Sequence, residues 1–417
     1  MRGTCAFGLL VAVLAAVAPG QDDMRDVVHL KNGKEVRGRI AQPFAPGELL
    51  VVQGGKRVRV PRADIATVEP VSDTIREFLD RRHRLAGNPR AQWILVEWAT
   101  ARSLVNFAHL QAMQLALESD DERAHSHLGH RQRNKQWLWE HDGKWLTKEQ
   151  LLTAIVRDQV VLPGERFRVR SDGDLGAAIA ALFDLEQLGV WWFDTFGADL
   201  QFQEILAPVE VFAHRDATSF PKWGFRPLPY YVPDPHGDVA HTFYAGAGPL
   251  RPRLLFYVGS QGLLYRTMIG SVTTRDERDR VCPWLEVGLP MLAEQTFAGD
   301  PGHAVAGDVR NQDLQALQAL SRDYQLQQLL HLPMYGGFYL MDDTPTATNW
   351  SAATMFAQYL LRPDNVPNTR AAFLSYVRQS LGEKRGDSSS LFDAVMGRRI
   401  EDFDEPFRRW LEKVATK

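Results

Sequence analysis

The chain reads as an α+β protein of several domains: a small β-barrel, a helical spacer, and a larger unit of mixed α and β that ends in helices. Three observations predict this. At 417 residues the chain has room for two or three domains of ordinary size. Hydrophobic residues make up 45% and charged residues 24%, a balance that folds over most of its length. The spacing of apolar residues also changes along the chain. It alternates over residues 27–70, turns helical over 72–120, and is mixed from about Leu162 onward. The formal net charge of -3 leaves no basic excess to hold a polyanion, which argues against a dedicated nucleic-acid binder.

Residues 1–20 read as a secretory signal peptide. Arg2 supplies a positive start, and Phe7 to Ala18 is an apolar run of 12 residues. That run falls short of the roughly 20 residues a membrane span needs. Ala18-Pro19-Gly20 then offers small residues for cleavage before Gln21. An uncleaved anchor helix is the alternative. Cys5 lies before the apolar run, not after it, so a lipoprotein is disfavoured. Removing residues 1–20 leaves 397 residues and one cysteine, Cys282, read as a buried apolar filler. A disulfide scaffold is thereby excluded. No later apolar run reaches membrane-spanning length, and the expected location is periplasmic or extracellular.

Residues 21–71 are expected to form the barrel. Val28 and Leu30, Val36 to Ile40, Leu49 to Val52, Val58 with Val60, and Ile65 with Val68 give five short strands. Asn32-Gly33 is read as a type I′ turn, and Gly54-Gly55 as a second turn. Lys31, Lys34, Arg37, Arg39, Lys56, Arg57 and Arg59 give the barrel a basic face, taken as solvated. The segment resembles the short SH3-like or Sm-like barrels that follow signal peptides in many secreted bacterial proteins. Such barrels bind peptides or serve as packing modules.

Residues 72–160 read as helical spacer and connector. Ile75, Phe78 and Leu79 share one face of the first helix. Ile94, Leu95 and Trp98 are expected inward on a second, from about Ala91 to Ser103. Ala108, Leu110, Met113 and Leu117 are expected inward on a third, from about Val105 to Leu117. The last two resemble one tetratricopeptide-type hairpin, without the usual proline after it. His125, His127 and His130 invite a metal reading, but their spacing does not share one helix face. Asp142-Gly143 is expected at a hairpin tip, and Thr147 with Gln150 forms a capping box.

In residues 161–417, Phe167 to Arg170 and Val209 to Ala213 read as strands, and Leu254 to Val258 as a buried strand. Ser171 and Asp172 are expected to cap a helix from Leu175 to about Leu188. Further helices are expected at about Gln261–Ile269, Leu285–Phe297, Asn311–Leu330, Ala352–Leu361, Arg370–Leu381 and Pro406–Val414, with a short one ending at Gly397. Three stretches carry a resemblance: Pro283-Trp284-Leu285-Glu286-Val287-Gly288-Leu289, the helix after Asn349-Trp350, and the closing helices from Phe373 through Leu391-Phe392 to Leu411. In order, the domain resembles the gluzincin-type zinc metallopeptidase domain of secreted bacterial proteins. The resemblance implies a zinc helix bearing His-Glu-x-x-His and a third ligand from a later glutamate.

Zinc hydrolysis needs two imidazoles four apart and a carboxylate beside the bound water. No His-Glu-x-x-His occurs in this chain. The matching stretch is Val258-Gly259-Ser260-Gln261-Gly262-Leu263-Leu264-Tyr265-Arg266. The third-ligand position falls on Val287, with Glu286 one residue off and expected to point elsewhere. No catalytic, cofactor or metal residue is therefore assigned. His236 and His241 are five apart, not four, and read as lying in a Pro/Gly/Asp loop; His214 follows a strand, His303 and His331 are isolated, and Asp342-Asp343 is read as an exposed turn. The aromatics between Phe183 and Tyr231 are read mainly as core, those on loops also as a peptide or glycan surface. The reading is an exported, inactive peptidase-like protein that binds a protein or peptide at the cell envelope. Two alternatives stay open: an active hydrolase with unorthodox ligands, and an envelope protein binding through its barrel and hairpin.

Overall fold

The computed structural model describes residues 26–85, 87–221, 229–232, 239–246, 251–269, 282–297, 324–338, 345–362, 369–383 and 388–415. The signal segment lies outside them, as do His236, His303, Asp342-Asp343, Trp223 and Phe225. The protein is α+β and multidomain in layout: a small antiparallel sheet, helices, a three-stranded meander, a mixed sheet and a helical lobe.

Strands β1 (Asp26–Leu30), β2 (Glu35–Ile40), β3 (Glu48–Gln53), β4 (Lys56–Pro61) and β5 (Ile65–Glu69) form one sheet in the order β4-β3-β2-β1-β5. The alternation of apolar residues puts Val28, Ile40, Leu49, Val51 and Val60 on one side, where they make a core of their own. The turns differ from expectation. Asn32-Gly33 is not type I′, since only Gly33 takes a positive φ, 80°. A turn closed by Gly33 N–H to Leu30 C=O accommodates it instead. Gly54 and Gly55, at 51° and 82°, supply the pair of positive φ angles.

Helices α1 (Val71–Arg84), α2 (Pro89–Ala101), α3 (Val105–Ser119) and α4 (Glu122–His127) follow. Ile75, Phe78 and Leu79 are the buried face of α1, as their spacing requires. On α2 the buried face is Gln92, Leu95, Val96 and Ala99. Ile94 is 56% exposed, one residue off the inward stripe. Trp98 is half-buried between the guanidinium groups of Arg81 and Arg102. The meander β6 (Arg131–Arg133), β7 (Gln136–His141), β8 (Lys144–Leu146) leads into α5 (Lys148–Asp158). Both bonds of the Thr147–Gln150 capping box are present.

The large unit is built on β9 (Val160–Pro163), β10 (Phe167–Ser171), β11 (Val209–His214), β12 (Tyr230–Val232) and β13 (Val239–Phe243), ordered β12-β13-β11-β10-β9. The inner strands β10, β11 and β13 run parallel, and both edges are antiparallel. Two helices, α6 (Leu175–Trp192) and α7 (Leu255–Leu264), pack against it. Asp174, not Ser171 or Asp172, caps α6, through Ala177 N–H. Leu254 to Val258 is not a strand: Leu255 begins α7, and a π-helical turn continues it through Tyr265–Ile269. An unbroken apolar run carries no periodicity, and every residue of α7 is buried. Helices α8 (Pro283–Phe297), α9 (Leu326–His331), α10 (Pro345–Leu361), α11 (Thr369–Arg378), α12 (Ser388–Met396) and α13 (Asp404–Ala415) form the lobe. Helix α8 packs between α7 and α10. Of the long helix expected over 311–330, residues 311–323 lie outside the described residues. Among the described residues no helix is long and apolar enough to cross a membrane.

The small sheet is docked on the large unit. Arg39 donates to Ile205 C=O at 2.7 Å and pairs with Glu165, and Glu204 N–H donates to Ala41 C=O at 2.9 Å. Arg39 is thus an anchor, not part of a solvated face.

Candidate functional site

The stretch that the sequence resemblance matches with a zinc helix is α7. Its start is unusual. Leu254 lies in the left-handed region and offers no cap, so the first free amides need another acceptor. Glu294 on α8 supplies it, its Oε2 accepting from Phe256 N–H at 2.9 Å and Tyr257 N–H at 3.1 Å. A carboxylate at a helix N-terminus also complements the helix dipole.

Along α7 the polar side chains face inward. Gln261 Nε2 donates to Tyr257 Oη at 2.8 Å, one turn back. Tyr265 Oη donates to Glu286 Oε1 on α8 at 2.8 Å. Gln261 is 1% exposed, Tyr265 1% and Glu286 0%, so the set is shut from solvent. The Tyr257 ring lies 4.9 Å from Trp350, and the Tyr265 ring 4.9 Å from Tyr231. Glu286 does not point elsewhere, as the sequence register implied: it reaches α7, and Val287 is buried beside it.

Glycines set how close α7 lies to its neighbours. A Cβ on Gly259 would stand 2.6 Å from Leu185 of α6, and one on Gly262 would collide with Val209 of β11. Gly288 likewise lets α8 approach the backbone of Ala353 on α10. These glycines cost helix propensity and are repaid in contact.

The remaining residues singled out in the sequence sort as follows. His214 and His241 come together, Nε2 to Nδ1 at 3.1 Å, on adjacent strands; His241 is in β13 and not in a loop. Burial pushes both rings down to about 4. His331 ends α9 and is exposed. His125 and His130 are brought together by the turn at Gly129, Nδ1 to Nδ1 at 2.7 Å, and Asp120 holds the other nitrogen of His125 at 2.8 Å. Trp137 stacks on His125, and Trp139 lies 4.1 Å from His130. That burial pushes His130 down to about 3. Cys282 is buried, its sulfur 3.6 Å from Tyr376 Oη. The described aromatics from Phe183 to Tyr231 are buried or half-buried, so core packing accounts for them.

Two features were missed in the sequence. Glu186 is fully buried on α6, and its Oε1 accepts from the amides of Glu165, Arg166 and Phe167 at 2.8, 3.0 and 3.0 Å. Burial raises its carboxyl to about 7. A glutamate among the apolar residues of α6 was the available signal; Gly164, between β9 and β10, leaves the room its carboxylate fills. The second is a group of three metal-type donors, His141, Asp142 and Asp158. Among the described residues it is the only such group.

No family model matches the chain, and no curated protein matches it either.

Proposed function

We propose that the protein is an exported, catalytically silent relative of gluzincin-type peptidases, acting as a binding or scaffold protein at the cell envelope with a protein or peptide partner. The carrying observation is the content of α7. Laid over Gln261 to Tyr265, the pattern His-Glu-x-x-His finds Gln261 and Tyr265 at the imidazole positions and Gly262 at the glutamate. A side chain at Gly262 would meet Val209, so no general base fits there. The donor set does not suit zinc. Neither Gln261 nor Tyr265 offers an imidazole nitrogen, the Gln261 amide nitrogen donates to Tyr257, and Tyr265 donates its proton to Glu286. What supports the reading is therefore a buried cluster in which the Gln261 amide nitrogen and the Tyr265 hydroxyl are already engaged, while Gln261 Oε1 has no hydrogen-bond partner among the described residues.

Incubation with casein and a mixed peptide library, with and without a chelator, tests it. The expected result is no hydrolysis in either arm. Chelator-sensitive cleavage that disappears in Glu286→Gln would overturn it in favour of an active hydrolase. The reading in which barrel and hairpin alone bind is less supported, because the barrel is anchored to the large unit through Arg39 and Ala41.

A further inference from the structure

The connector holds chemistry that the helix pair α7–α8 does not use. His141 ends β7, Asp142 and Gly143 turn the hairpin with φ of 51° and 72°, and Asp158 ends α5. One donor atom from each of His141, Asp142 and Asp158 lies within 4.8 Å of the other two. His141 is 3% exposed, yet neither ring nitrogen has a hydrogen-bond partner among the described residues. Its Nε2 is 3.9 Å from Asp142 Oδ2, too far for a hydrogen bond and aimed at the carboxylates. Buried imidazoles left without partners are rare and call for an explanation.

We propose that His141, Asp142 and Asp158 form a divalent-cation site, best matched to Zn2+. An imidazole nitrogen with two carboxylate oxygens is a borderline donor set, and three protein ligands leave a position for water or a partner's side chain. In a tetrahedral shell with bonds of about 2.0–2.2 Å, neighbouring donors stand roughly 3.3–3.6 Å apart. The His141–Asp142 separation is 3.9 Å and the other two lie within 4.8 Å, so the three donors must draw together for an ion to bind. Asp142 and Asp158 are 37% and 25% exposed and can swing inward, while His141 is fixed.

Two cations share the neighbourhood. Arg157 holds both oxygens of Asp158, at 2.7 and 2.5 Å, and keeps that carboxyl below its usual range; Lys144 also acts on it. Arg157 is 78% exposed, so its pair is a solvated one that an incoming ion can displace. His141 Nδ1 lacks, among the described residues, the acceptor that orients most ligating histidines. Such acceptors contribute about 10–100-fold, so a micromolar site is expected and not a nanomolar one. The site has a structural consequence. Asp158 is followed by Gln159 at φ 65° and then by edge strand β9, so an ion here ties the hairpin tip to the start of the large unit.

The test is calorimetric titration of the purified, chelator-treated protein with zinc chloride, alongside Asp142→Asn, Asp158→Asn, His141→Asn, Arg157→Ala and Glu286→Gln. Wild type is expected to take up one equivalent and to melt at higher temperature in zinc. Each ligand variant should bind at least about tenfold more weakly. Arg157→Ala should bind as well or better. Asn tolerates the left-handed backbone at position 142, so Asp142→Asn tests the site even if His141→Asn fails to fold. No saturable zinc uptake by wild type, or uptake unchanged in Asp142→Asn, would overturn the proposal. Uptake lost only in Glu286→Gln would overturn it and the functional reading together.

Discussion

The helix pair α7–α8 and the connector hairpin make opposite use of polar residues. In the helix pair, Glu294 and Glu286 bond across the interface, Gln261 Nε2 bonds back to Tyr257 within α7 while its Oε1 has no partner among the described residues, and glycines draw the helices close. In the connector, His141 is just as buried but without partners among the described residues, and its carboxylates face solvent on one side. A polar group satisfied by its neighbours stabilises a single packing. A polar group left unsatisfied pays a desolvation cost that a ligand can recover. Residue types alone would rank the two regions the other way round.

Substitutions sharpen the contrast. Gly262→Ala drives a methyl into Val209 and should cost about 3 kcal/mol, read as a lowered denaturant midpoint. A tolerated alanine would break the close-packed account of α7. Tyr265→Phe removes the hydroxyl donated to Glu286 and should cost about 2 kcal/mol, without creating zinc binding at Glu286. Arg39→Ala should cost about 1.5 kcal/mol and speed hydrogen exchange in β2 and in the segment around Ile205.

Two sets of buried groups elsewhere in the fold should respond oppositely to pH. His109, which lines a cavity together with His130, Trp139 and His141, and His214 and His241 on the sheet are each pushed down to about 4 from 6.5 by burial. Their contribution is present above pH 6.5 and is lost as pH falls through about 4. Glu186, raised from 4.5 to about 7, contributes below pH 4.5 and loses that contribution as pH rises through about 7. Melting temperatures from pH 4 to 8 should show both limbs. His109→Asn should flatten the acid limb, and Glu186→Gln the other. The smallest effect is expected from Asp142→Asn without zinc, a stability change under about 0.5 kcal/mol.

Much of the local structure was legible in the residues. The strands of the small sheet, the capping box at Thr147 and the Ile75–Phe78–Leu79 face follow from period and cap chemistry that act within a few residues. Failures came where tertiary context decides. Leu254 to Val258 was ambiguous because burial on all sides erases the helical stripe. Strands β9, β12 and β13 are short, and their pairing is non-local. Glu286 was set aside on register alone, and its contact with Tyr265, 21 residues earlier, depends on how α8 packs against the turn that follows α7. His141 and Asp142 are adjacent, but Asp158 joins them only because α5 folds back on the meander. No spacing rule joins a hairpin tip to the far end of the next helix.

The central claim is that the donors between α7 and α8 are turned on one another, Tyr265 on Glu286 and Gln261 on Tyr257, while His141, Asp142 and Asp158 are left to hold an ion. Crystals of the protein soaked in zinc and measured at the zinc absorption edge test it most directly. The account predicts an anomalous peak within bonding distance of His141 Nε2 and none near Glu286. A peak coordinated by Glu286 would contradict it.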